Sequence, residues 1–210
     1  MSAGCSSCCS SQDAPVVDKT YRRILWFSLV VNLGMFFIEI IAGAMGNSLA
    51  LTADAVDFFS DGANYAITLI VLGMSLQARS KAALFKGICM GAVGAYVLFV
   101  SVSHIINGTV PRAEVMGVIG FMALITNVVV ALLLFRHRSG DANRQSIWIC
   151  SRNDAIGNIA VMLAGAGVWV SQTGWPDIVV GLGIAGLGLW GAAQIIARSL
   201  AEMRLSDQNV

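Results

Sequence analysis

The chain has 210 residues, 57% of them hydrophobic and 12% charged, with a formal net charge of +1. Soluble domains carry about 25% charged residues, so this composition, with a mean hydropathy of +0.76, excludes an ordinary soluble domain and makes the lipid bilayer the surroundings. A total charge so near zero carries no argument for nucleic acid, which is not expected among the partners.

The chain opens on a polar tail, residues 1–22, that holds Cys5, Cys8 and Cys9. Five cysteines in all, the others being Cys89 and Cys150, form an odd and irregularly spaced set that argues against a disulfide framework. On the cytoplasmic side thiols stay reduced, and the Cys5-x-x-Cys8 spacing with Cys9 beside it suits accessory capture of a soft metal ion. An unstructured tail with incidental thiols fits the same residues. The first apolar run starts at Ile24 and lacks the short core and small-residue cleavage site of a secretory signal, so a retained membrane helix is expected.

Six continuously apolar spans follow, near 24–45, 48–75, 83–106, 114–135, 147–171 and 176–198. Each is long enough for a hydrocarbon core that needs about 20 helical residues, and the absence of apolar–polar alternation excludes membrane strands. The expected fold is an all-α membrane protein with six transmembrane helices. Basic residues alternate between the connections. Lys19, Arg22 and Arg23 precede the first span; Arg79, Lys81 and Lys86 lie around the second connection; Arg136, Arg138 and Arg144 around the fourth; Arg198 and Arg204 follow the sixth. The other connections hold Arg112 alone, so the positive-inside rule puts both termini in the cytoplasm. The expected organisation is a cytoplasmic tail over 1–22, a transport domain over 23–200 and a short cytoplasmic C-terminal tail over 201–210.

The second span breaks the apolar rule. Within "SLALTADAVDFFSDGANYAITL" it carries Asp54, Asp57 and Asp61. A charge at mid-bilayer costs about 2.5–3.5 kcal/mol on insertion scales. Asp57 and Asp61 are four apart and share a helix face, where two like charges repel and one tends to hold a proton. A divalent cation relieves both problems; a proton relay or a helix-packing hydrogen bond explains the pair as well. In the fifth span, "IWICSRNDAIGNIAVML", Cys150 and Asp154 are again four apart. Two such pairs facing one another make three carboxylates and one thiolate, a four-ligand set suited to zinc and softened by sulfur.

The stretch Asn32 to Asp61 reads N-xxx-F-xx-E-xxx-G-xxxx-SLAL-xx-DA-xx-D-xxx-D. It resembles the first two helices of the cation diffusion facilitator family, the proton-coupled exporters of divalent metals. "RNDAIGNIAV" is similar to that family's fifth helix and "WPDIVVGLGIAG" to the start of its sixth. The resemblance implies a transport site of Asp57 and Asp61 with Cys150 and Asp154. Zinc exporters of the family commonly have His at the first place of each pair, and the Cys at 150 departs from that pattern, which leaves zinc, cadmium, lead or mercury open. The resemblance also implies a homodimer. The family's usual cytoplasmic domain after the sixth helix is not expected here, because 199–210 is too short to form one.

Asp54 is expected as a polar partner of the site rather than a ligand, and Glu39 fits a second polar partner, a proton-handling group or a helix-packing hydrogen bond. Asn32 and Asn158 are expected to bond across the first and fifth helices. Arg152 is expected to snorkel or pair with a carboxylate, His104 to sit at the interface, and Cys89 to pack. The glycines of the sixth span either permit close helix contact or reflect their frequency in membrane helices. The function expected is a multi-pass protein of the bacterial-type inner membrane that exports zinc or cadmium from the cytoplasm against protons, with no prosthetic group. The divalent metal, Zn2+ or Cd2+, is cargo. No phosphate-binding loop of the G-x-x-x-x-G-K-[ST] kind occurs. An intramembrane metalloenzyme or a membrane metal sensor on the same residues is the alternative; neither H-E-x-x-H nor an output domain supports them.

Overall fold

The computed structural model describes residues 19–70, 76–136 and 142–208, with side chains at 19–70, 80–136, 148 and 151–204. Those residues fold into six helices: α1 (Lys19–Gly46), α2 (Leu49–Ile70), α3 (Leu76–Asn107), α4 (Ala113–Phe135), α5 (Ala142–Ser171) and α6 (Trp175–Gln208). No strand occurs among them. Five, all but α2, are long and apolar enough to cross a membrane. Large apolar side chains cover the outside of the bundle, among them Val30, Phe37, Phe99, Leu163 and Val170. That is the surface a hydrocarbon solvent selects.

The helices pack as three antiparallel pairs. Along α1·α2 the contact runs from Gly43 against Thr52, through Gly62 against Leu33, to Leu25 beside Tyr65 and Leu69. Gly120 on α4 meets Val161 and Met162 of α5, while Gly165 on α5 meets Met116. On α3, Gly87, Gly91 and Gly94 meet Ile195, Ala192 and Leu189 of α6 in reversed order. α2 runs through the centre and touches all five other helices. Its start lies against the start of α6, where a Cβ on Gly181 would fall 2.8 Å from the Leu49 carbonyl carbon and 2.9 Å from Ala50 N. Among the glycines at 181, 183, 186, 188 and 191, that close approach belongs to Gly181; the rest have nothing within 4 Å of a built Cβ. It follows that Lys19 and the C-terminal turns of α6 stand at the same end of the bundle.

Two apolar layers close the interior. At the Lys19 end, Tyr21, Leu25, Leu29, Tyr65, Leu69, Val130 and Leu134 form one. At the opposite end Ala50, Leu51, Met116, Val161, Ala164 and Val168 form another. The α2 residues between these layers are the ones that carry carboxylates.

Helix ends differ from the expected spans in an instructive way. α3 starts at Leu76, so Arg79, Lys81 and Lys86 lie on a helix and not in a connection; α6 continues to Gln208, well past Arg198. Helices extend through their flanking basic residues because hydrogen bonding does not stop where hydropathy falls. The tail residues Cys5, Cys8 and Cys9 lie outside the described residues.

Candidate metal centre

α2 begins with a cap supplied from α6. The carboxylate of Asp177 accepts hydrogen bonds from Ser48 Oγ at 2.6 Å, Leu49 N at 2.8 Å and Ala50 N at 3.0 Å. Acceptance of free N–H groups by a carboxylate is the favoured chemistry at a helix start. It fixes α2 along its axis and so sets the depth of the carboxylates that follow.

Asp54, Asp57 and Asp61 descend α2 from there. Asp54 and Asp61 are buried and Asp57 is half-buried. Asp154, on α5, brings its carboxyl into side-chain contact with that of Asp61, and both Asp54 and Asp57 lie near enough for their charges to act on it. Carboxylates so placed are held together by a shared proton or a shared cation. Among the described residues no group of three or more His, Cys, Asp or Glu has the spacing to hold a metal ion. Cys150 belongs to α5, but its side chain lies outside the described residues. Asp61 and Asp154 are thus brought together across α2 and α5, Asp57 lies one turn from Asp61 on α2, and the fourth expected ligand is one turn before Asp154 on α5.

Asp61 is held from the Lys19 side. Tyr65, one turn on, donates to Asp61 Oδ2 at 3.2 Å and shares a 2.8 Å hydrogen bond with Ser151 Oγ of α5. Ser151 Oγ itself lies 3.5 Å from Asp61 Oδ2. Neither residue was expected at the site. The signal for Tyr65 was present, since it extends the four-residue period Asp57–Asp61; Ser151 had none. Lys86 reaches in from α3, 7% exposed, with Nζ donating to Asn64 Oδ1 at 2.7 Å.

On the other side of Asp57, Glu39 of α1 is fully buried and faces Asp54. Among the described residues, neither Glu39 oxygen nor Asp54 Oδ2 has a hydrogen-bond partner. The expected bond between Asn32 and Asn158 is not formed. Asn32 Nδ2 donates to Ser28 O of its own helix at 2.8 Å, and both polar atoms of Asn158 are unpartnered. A hydrogen bond inside one helix needs no partner helix in register, which is why it wins here. Arg152 is exposed, stacks 5.3 Å from the centre of the Trp148 ring and donates to Asn153 Oδ1 at 3.2 Å. It reaches outward rather than towards the carboxylates. His104 is half-buried, and its Nδ1 has no hydrogen-bond partner among the described residues. Cys89 is a half-buried free thiol.

Comparison with known proteins gives a family. Residues 25–203 match the profile of the cation efflux transmembrane domain. The chain is 22% identical over 178 residues to the cadmium, cobalt and zinc/H(+)-K(+) antiporter of Bacillus subtilis, covering 78% of this chain and 57% of that protein. It is 25% identical over 181 residues to the metal cation efflux system protein CzcD of Cupriavidus metallidurans, covering 80% of this chain and 56% of the other. The magnetosome protein MamB of Magnetospirillum gryphiswaldense is 26% identical over 188 residues, covering 79% and 61%. The chain therefore spans little more than half the length of these relatives. The family match runs through all six helices, and the resemblance read from Asn32 to Asp61 is borne out.

Proposed function

The chain belongs to the cation efflux family, whose members are membrane transporters and not enzymes, and on that premise we propose that it exports a divalent metal cation from the cytoplasm in exchange for protons. Asp57, Asp61, Asp154 and Cys150 bind the cargo. One observation supports this reading: Asp54, Asp57 and Asp61 of α2 lie between two apolar layers, and the Asp61 carboxyl meets that of Asp154 on α5. Carboxylates in such a place are costly unless they serve an ion.

The chemistry of exchange follows from the donors. Carboxylate and thiolate bind metal only when deprotonated, so loading sheds protons and protons on the far side displace the cation. Alternating access arises when helices rock about a site fixed near the midplane. The cap from Asp177 and the contacts of α2 with every other helix make α2 the element about which such rocking would occur. The thiolate favours cadmium as well as zinc, and both are named for the Bacillus subtilis relative. Both termini lie in the cytoplasm, the protein sits in the inner membrane as a homodimer, and Cys5, Cys8 and Cys9 collect metal at low concentration.

Reconstituted vesicles with an imposed pH gradient and a zinc reporter test the reading. Wild type is expected to move zinc and cadmium only when the gradient is present, and Asp61→Ala and Asp154→Ala to abolish flux while inserting normally. Wild-type flux from a well-inserted Asp61→Ala protein would overturn the site.

A further inference from the structure

Lys86 is a basic side chain inside a transport bundle, and it does not reach outward. At 7% exposed it is nearly as enclosed as Asp61, at 5%, although a lysine stem near a helix end normally carries its ammonium to the interface. One turn later on the same helix face, Met90 packs with Val56 of α2 and Ala192 of α6, which directs this face of α3 at α2. The ammonium donates to Asn64 Oδ1 at 2.7 Å. Asn64 is three residues past Asp61 on α2, so the ammonium is tied to α2 within one turn of that carboxylate. Its field reaches both Asp57 and Asp61.

A buried ammonium is stable only near opposite charge, and the carboxylates between the apolar layers supply it. The same charge repels any cation bound there. At the effective dielectric of about 20 inside a protein, a unit charge close to a divalent cation repels it enough to move binding by about an order of magnitude or more. Without such a neighbour, three carboxylates and a thiolate would hold a divalent ion more tightly.

The geometry points to Lys86 as a tethered counter-cation of the transport site: held by Asn64, it offsets the carboxylate charge in the empty bundle and weakens the hold on the cargo enough for turnover. It is a positioning residue and touches no ligand role. The inference rests on the exporter reading above.

Two measurements on the full chain separate the two ideas. The first is calorimetric titration of the purified protein with zinc chloride. Lys86→Met, which keeps an unbranched stem, is expected to bind zinc at least about tenfold more tightly, and Lys86→Arg to bind as wild type does. Asn64→Leu, which frees the ammonium to move away, is expected to tighten binding by a smaller factor, and it carries the test if Lys86→Met does not fold. The second is vesicle flux. Lys86→Met is expected to lower KM and kcat together, a pairing that loss of a merely structural residue would not give. Unchanged or weaker zinc binding in folded Lys86→Met, or a raised KM, would overturn the inference. A wild type that binds zinc yet moves none would sink the exporter reading, and the calorimetric comparison would still decide whether Lys86 opposes the cation.

Discussion

Tyr65 links α2 to α5 beside the Asp61 carboxyl. Its hydroxyl is bonded both to Asp61 and to Ser151, and the ring is fully buried in the layer at the Lys19 end. Tyr65→Phe keeps that packing and removes one bond to a charged acceptor, worth about 1.5–3 kcal/mol. The expected result is a KM for zinc raised roughly tenfold with protein yield unchanged, read in vesicle flux; Ser151→Ala should move it less, since Ser151 is 3.5 Å from the carboxylate. An unchanged KM in Tyr65→Phe would mean that Asp61 needs no such orientation. Glu39 gives the opposite kind of prediction. Both of its oxygens are buried, lack a hydrogen-bond donor among the described residues and face the Asp54 carboxyl, so the isosteric Glu39→Gln removes like-charge repulsion and offers Asp54 an amide N–H. Its thermal midpoint should rise. A fall would show that Glu39 makes a bond the structure lacks. These residues also mark what the sequence could tell. That Asp61 and Asp154 would meet was legible because a carboxylate in an apolar run demands a partner and the four-residue period names its face. Tyr65 fitted the same period but is apolar enough to pass as packing. Lys86 was misread for a physical reason: positive-inside counting treats a basic residue beside a span as loop charge, whereas here the helix runs on and the side chain turns inward.

At the scale of helices, five spans were legible from apolar length alone, and α2 from length despite its charges. Their joints were not. The link between the starts of α2 and α6 spans 129 residues of sequence from Ser48 to Asp177, and no local pattern announces a carboxylate that caps a helix other than its own. Gly181 completes the joint by admitting the Leu49–Ala50 backbone where a side chain would clash. Asp177→Ala removes the acceptor from three buried donors at once, each costing about 1–3 kcal/mol when orphaned. The expected outcome is a loss of about 3 kcal/mol or more, seen as a thermal midpoint lowered by several degrees in detergent, with Asp177→Asn in between because its amide oxygen still accepts. A midpoint unmoved in Asp177→Ala would mean that water or Ser48 alone satisfies the α2 start.

For the whole molecule the decisive question is whether α2 crosses the bilayer. By composition it does not qualify, and the remaining five helices do. Five crossings would put the two termini on opposite faces; six put them on the same face. The packing argues for six. α2 has 22 residues, about 33 Å of helix, enough for a hydrocarbon core of about 30 Å. It returns antiparallel along α1 after a turn at Asn47, whose φ of 52° lets the chain reverse. It also needs little tolerance from lipid, because 15 of its residues are buried by the helices around it. A helix sheathed in protein answers to its neighbours for its polar groups, and hydropathy then understates its ability to span. Fusions of green fluorescent protein and of alkaline phosphatase to each end in turn decide the matter in bacterial cells. Fluorescence from both fluorescent fusions and silence from both phosphatase fusions are expected. Phosphatase activity at one end alone would leave five crossings, place α2 off the transmembrane path, and take the carboxylates of α2 out of any route across the membrane.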